Sequence, residues 1–340
     1  MAKIITANTP KISAISTTVP PKKITNDYFS YLMDDKDLKR SVDMIGVQER
    51  YWAESNISTA DLCINSAQKI FNDTECDKNS IDAIILVTQT PNYQIPATSY
   101  YIHQQLELDE SILSFDVNLG CSGYIYGLYL ASSLLENGVN RVLLLAGETS
   151  SKIIDFNDPG TAILFGDAGS ATLIESSTSK FKSNFLFQSR GSGLEAISIP
   201  CGISKSINSE KKLKDKLSMN GPDVFNFTIK EIPSFLELHG NSLDIKIGDF
   251  DKILLHQANR FMLNHIYKKI GASEDQRVIN INKFGNTSSA TIPLLLTDPE
   301  SGDLQNKHIL MAGFGVGLSW ASMDIRFNDA CYKNHNLMVL

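Results

Sequence analysis

The chain has 340 residues, 42% hydrophobic and 20% charged, with a formal net charge of −7. That balance belongs to a soluble globular protein long enough for two core-forming units, and its negative sign leaves no global field for nucleic acid, so an anionic partner would need a local basic patch. The opening MAKIITANTPKISAISTTVP lacks the apolar stretch of a signal peptide, and no segment approaches the roughly 20 apolar residues needed to span a bilayer. Five scattered cysteines (Cys63, Cys76, Cys121, Cys201 and Cys331) form no CxxC pair. Neither a metal site nor a disulfide framework is expected, and reduced thiols in a cytosol are the simplest reading.

In chain order, strand-like apolar runs fall at 83–90, 111–117, 141–148 and 170–176, then at 252–258, 277–283, 308–313 and 319–327. Helical patterns lie between them, notably after Cys121 and after His256, which argues for an α/β protein. Each set of four follows the same order: an Asp-led strand, a helix, a strand running into a glycine and a helix, then two more strands. The chain therefore reads as one supersecondary plan used twice, with a first half over 1–178, a second over 179–328 and a patternless tail over 329–340. Cys121, after Gly120, and Asn286, after Gly285, occupy equivalent strand-to-helix turns. The Ser- and Lys-rich stretch 202–216 reads as an exposed loop.

Cys121 lies where a strand enters a glycine-flanked turn and an apolar helix follows. A thiol at a helix N-terminus is favoured as thiolate, although a lone cysteine is as readily a buried core residue. His256 ends an apolar run, at the strand end where open α/β sheets bind ligands; alone, it reads more readily as a satisfied core histidine. Asn286 could be a helix N-cap. Gly313, Gly315 and Gly317 lack the spacing of a dinucleotide fingerprint and precede a strand, so no nucleotide cofactor is implied. A bend offering a backbone N–H to an oxyanion suits them better.

The segments GCSGYIYGL (120–128), HQANRFM (256–262), FGNTSSATIP (284–293) and GFGVGLSW (313–320) occur in this order, with GVQER (46–50), DPGTAILFGDAG (158–169) and MNGPDVF (219–225) around them. Together they closely resemble the β-ketoacyl-acyl-carrier-protein synthase III family, from about residue 12 to 327. The resemblance implies a thiolase-like, five-layered α-β-α-β-α homodimer. It makes Cys121 the acylated nucleophile, His256 and Asn286 the decarboxylation pair, and the backbone N–H groups of Cys121 and Val316 an oxyanion hole. Valine replaces a customary glycine there, keeping the N–H while adding a side chain that would narrow the pocket. Phe165, Phe314 and Ile95 are expected to shape the acyl pocket, Ile95 by reaching into the partner subunit. Arg260, Lys268 and Lys269 match the surface that docks acyl carrier protein. The implied substrates are an acyl-CoA or acyl-carrier thioester and a malonyl thioester, joined with loss of carbon dioxide into a β-ketoacyl product for fatty-acid or specialised-metabolite synthesis.

Three departures bear on the acyl donor. Arg40 and Met44 stand where the family places a tryptophan and an arginine around the adenine of CoA, and Pro159 stands where it places a further arginine. They argue for delivery by a carrier protein. Two other readings share the same residues: transfer of the acyl group to an oxygen or nitrogen nucleophile, and an inactive partner subunit.

Overall fold

The computed structural model describes residues 2–200, 216–327 and 331–339; the predicted loop at 202–216 lies almost wholly outside them. The chain opens with β1 (Lys3–Asn8), β2 (Lys11–Val19) and β3 (Lys22–Thr25), then α1 (Asp35–Ile45), β4 (Glu49–Trp52) and α2 (Thr59–Asp73). Next come β5 (Ala83–Val87), α3 (Thr98–Leu106), β6 (Leu113–Val117), α4 (Gly123–Leu135), β7 (Arg141–Glu148), α5 (Pro159–Ala162) and β8 (Ala168–Glu175). The second half contains β9 (Lys182–Ser189), β10 (Ile197–Ser198), β11 (Ser218–Met219), α6 (Gly221–Ser242), β12 (Lys252–Leu255), α7 (Arg260–Lys269), α8 (Ile281–Phe284), α9 (Thr291–Thr297), β13 (His308–Gly315) and β14 (Ser319–Arg326). A final strand, β15, runs over Tyr332–Leu337.

Two sheets carry the architecture, ordered β15-β2-β8-β7-β5-β6 and β1-β9-β14-β13-β12. In the first, β5 runs parallel to β6 and β7, while β8 is antiparallel to β7 and β2. In the second, β12 runs parallel to β13, and β14 is antiparallel to β13 and β9. The duplicated plan is therefore real. The sheets face each other across α4 and α9, where Ile125, Leu128, Ile292 and Leu295 pack between Leu144 and Met311. α2 and α3 cover the outside of the first sheet, and α6 and α7 that of the second, giving five α-β-α-β-α layers. α4 can lie against β5 because its first residue is Gly123, where a Cβ would stand 2.4 Å from Val87 Cγ1.

Three expectations change. The strand predicted over 277–283 shrinks to one parallel bridge, Ile253 to Arg277. The Gln257 side-chain oxygen accepts from the backbone N–H of both Asn280 (3.1 Å) and Ile281 (3.2 Å). Those amides are thereby withdrawn from a ladder, and the chain turns into α8. The tail predicted to be patternless is β15, pairing parallel to β2 from Tyr332–Ala14 to Leu337–Val19. Its polar residues are used: Asn336 donates to Ser16 Oγ (3.0 Å), and His335 Nδ1 lies 3.0 Å from Thr17 Oγ1. Finally, the boundary at 178 is crossed twice, since β1 edges the second sheet and β15 the first.

Candidate active site

Cys121 sits in the turn between β6 and α4, buried. Its backbone meets the end of β13: a Cβ on Gly315 would lie 2.8 Å from Cys121 Sγ, so this strand can pass the sulfur only as glycine. Burial pushes the thiol up to about 11, while the Ser288 hydroxyl and the backbone N–H groups of Val316 and of Cys121 itself pull towards thiolate. The helix terminus expected to hold a thiolate is thus outweighed by desolvation, and the resting group at neutral pH is the thiol. Both amides lie on the sulfur side of the site and favour negative charge there.

His256 directly follows β12, and its N–H extends the ladder to Ala312 O at 2.8 Å. Its ring is buried, meets Phe314 edge-on at 5.5 Å, and has Nδ1 2.8 Å from Thr291 Oγ1. Burial takes the imidazole down to about 3, so it is neutral across the working pH range. Asn286 follows α8. Its side-chain oxygen accepts from Ser288 N–H at 2.9 Å, which leaves its NH2 as the end available to a ligand. Its backbone is clamped to the 158–169 segment, with N–H to Leu164 O at 2.9 Å and O from Gly166 N–H at 3.1 Å.

Cys121, His256, Asn286, Phe165, Phe314 and Val316 all line one cavity of about 710 Å³. Met44 and Pro159 line the same cavity. Ile95 does not; it stands on the outer surface, 85% exposed. Arg260 is half-buried at the first residue of α7, packed against Gly46, and Lys268 and Lys269 are exposed at its last turn. Nine residues at about 1.5 Å each separate the two ends by about 13 Å, so these cations form two patches rather than one cluster.

Four further residues belong to the site. Ser288, held at φ 51°, places Oγ 3.9 Å from Cys121 Sγ. Thr291 holds His256. Glu148, buried in the cavity wall, accepts from Gln89 N–H (3.0 Å) and Thr90 Oγ1 (2.7 Å) and is pushed up to about 7 by burial. Gln89 lines the wall beside it. Position along the chain announces none of these. Only the cluster of hydroxyl residues after Asn286 hints at two of them.

Sequence profiles described as 3-oxoacyl-[acyl-carrier-protein] synthase III and its C-terminal region match residues 115–191 and 241–327, spans that contain Cys121 and the His256–Asn286 pair. A putative 3-oxoacyl-[acyl-carrier-protein] synthase 3 of Campylobacter jejuni is 34% identical, across 95% of this chain and 96% of its own. The chain belongs to the synthase III family. A β-ketoacyl-[acyl-carrier-protein] synthase III of Streptococcus mutans is likewise 34% identical, over 93% of this chain and 98% of its own. A crystal structure of a 3-oxoacyl-(acyl-carrier protein) synthase from Burkholderia xenovorans superposes with a TM-score of 0.93 at 36% identity, covering 98% of this chain and 99% of that one. Family membership makes the protein an enzyme and agrees with the thiolase-like layering.

Proposed function

We propose that this synthase III family member carries an acyl group on Cys121 and joins it, with decarboxylation, to a malonyl thioester. The observation that carries the reading is the meeting of Cys121, His256, Asn286 and the backbone amide of Val316 on one largely apolar cavity. As the sulfur attacks an acyl thioester, its proton passes to His256 Nε2, the carbonyl oxygen is held by the amides of Cys121 and Val316, and the carrier thiolate leaves with that proton. Malonyl thioester then loses carbon dioxide. The resulting enolate oxygen accepts hydrogen bonds from His256 Nε2–H and the Asn286 NH2, and its carbon attacks the acyl carbonyl. The new C–C bond forms as the C–S bond breaks, and the Cys121 thiolate takes one proton from solvent, the proton that decarboxylative condensation consumes in each turnover. The free NH2 of Asn286 favours this over simple transfer to oxygen or nitrogen, which has less need of a second donor.

The donor in this reading is an acyl carrier protein, with acyl-CoA less favoured because Met44 and Pro159 bring no cation to the cavity lining. Docking uses Arg260 with Lys268 and Lys269. A twofold homodimer through β6 completes the site: β6 is a sheet edge whose Leu113 is 48% exposed, and Ile95, Tyr93 and Tyr100 are exposed hydrophobics of the same half. The thioester substrates of this reading place the enzyme in the cytoplasm. Among the described residues no helix is long and apolar enough to cross a membrane.

The experiment is intact-mass measurement after exposure to acyl-carrier and acyl-CoA thioesters, followed by malonyl-carrier thioester. An acyl increment on the Cys121 peptide, discharged as β-ketoacyl product, is expected. An increment discharged only by an alcohol or amine would replace condensation with acyl transfer.

A further inference from the structure

His256 has two proton roles in the proposed reaction, and they need opposite arrangements at Nε2. During loading, Nε2 must be bare to receive the Cys121 proton, because burial keeps the resting group as thiol. During condensation, Nε2 must carry hydrogen to donate to the enolate oxygen. The ring is neutral in both resting states, so the first requires the Nδ1–H tautomer and the second the Nε2–H tautomer with Nδ1 bare.

The partner of Nδ1 decides which tautomers are permitted. A carboxylate or carbonyl accepts only and would hold the proton at Nδ1. Here the hydrogen-bond partner of Nδ1 is the Thr291 hydroxyl at 2.8 Å, which itself lies 2.9 Å from the carbonyl oxygen of Ser288, an acceptor that also bears on the ring. With its hydrogen turned to Ser288 O, the hydroxyl accepts from Nδ1–H. With its hydrogen turned to Nδ1, it donates to the bare nitrogen. Each arrangement leaves Nδ1 satisfied, and switching between them turns one hydroxyl hydrogen and exchanges the ring proton between the two nitrogens, with no heavy atom moved. Thr291 is buried as the first residue of α9, and Phe314 flanks the ring, so the imidazole stays in place while its proton changes side.

We propose that Thr291 is the positioning residue that lets His256 alternate between proton acceptor in acyl loading and hydrogen-bond donor in condensation, by supporting both neutral tautomers in one ring position. The proposal rests on the condensation reading above. Its proton balance closes: one proton goes from Cys121 Sγ to Nε2 and on to the leaving carrier thiolate. The tautomers then interconvert by losing one ring proton and gaining another, with no net uptake.

The test compares the parent with Thr291→Val and Thr291→Ser, each with 15N-labelled histidine and His256→Ala for assignment. In the parent, both His256 nitrogens should resonate between the protonated and bare extremes. In Thr291→Val the donor to Nδ1 is gone, and the ring should settle as Nδ1–H, because the Ser288 carbonyl that bears on it accepts only. Acyl loading on Cys121 should then change by less than about tenfold, while malonyl decarboxylation falls by about 10²–10³-fold, the usual cost of one lost preorganised donor. Thr291→Ser should restore both the nitrogen shifts and the rate. The proposal is overturned if Thr291→Val decarboxylates at the parent rate, if its nitrogen shifts match the parent's, or if serine fails to rescue. A parent that never decarboxylates malonyl thioester would instead sink the condensation reading, and the nitrogen spectra would still decide the tautomer question.

Discussion

The turns at Cys121 and Asn286 occupy the same place in two copies of one plan, yet their surroundings differ in kind. Before Cys121 stands a complete strand, β6, paired with β5 over five residues. Before Asn286 only the Ile253–Arg277 bridge remains, and Gln257 holds the amides that a strand would have used. After Cys121 comes the 13-residue α4; after Asn286 comes the 7-residue α9. The first turn is thus set by regular structure and presents a backbone and a sulfur. The second is set by side-chain hydrogen bonds and a single backbone bridge to 164–166, and presents an amide and, through Thr291, a histidine. Duplication supplied the frame, and the chemistry lodged where the copies diverged.

The largest contrast is in covalent chemistry. Cys121→Ala should abolish the acyl increment on the protein altogether, because no other described thiol lines the cavity; an increment persisting at another cysteine in peptide maps would remove the first turn from the mechanism. A second difference is in pH response. A thiol pushed up to about 11 stays protonated below that value, so its thiolate fraction, and with it the iodoacetamide rate, should rise about tenfold per pH unit from pH 7 to 9. A rate that levels off by pH 8 would mean that the helix terminus wins over burial after all. The neutral His256 should add no inflection between pH 5 and 8, since its transition lies near 3.

Stability separates the turns more modestly. Gln257→Ala strips the partner from two buried backbone N–H groups, at about 1–3 kcal/mol each if left unpaired, and should lower the denaturant midpoint accordingly. Leu113→Lys, on the open edge of β6, should leave the subunit's fold intact and weaken self-association, as read by light scattering. Equal destabilisation by both would contradict the division between side-chain-built and strand-built turns. The smallest expected change is at the surface: Lys268→Glu with Lys269→Glu should slow loading from an acyl-carrier donor at low salt and converge with the parent at high salt, where the steering field is screened.

These differences also explain what could be read from the chain alone. Cys121 and His256 stand at strand ends and Asn286 just after the short α8, beside glycines or apolar runs, so local pattern marks them. Thr291, Ser288 and Glu148 matter through side-chain neighbours, and beyond the hydroxyl cluster after Asn286 nothing in their own flanks says so. β15 escaped notice because its polar residues meet hydroxyls of β2 rather than an apolar face. The 277–283 run looked like a strand because its residues suit one; only the Gln257 side chain, 23 positions before Asn280, diverts it.

The central claim, that one turn loads and the other condenses, is tested most directly by single-turnover mass spectrometry of Asn286→Ala. The account predicts that acyl-Cys121 forms within about tenfold of the parent rate and then persists in the presence of malonyl-carrier thioester, its discharge slowed by about 10²–10³-fold. Discharge to β-ketoacyl product at the parent rate would contradict it.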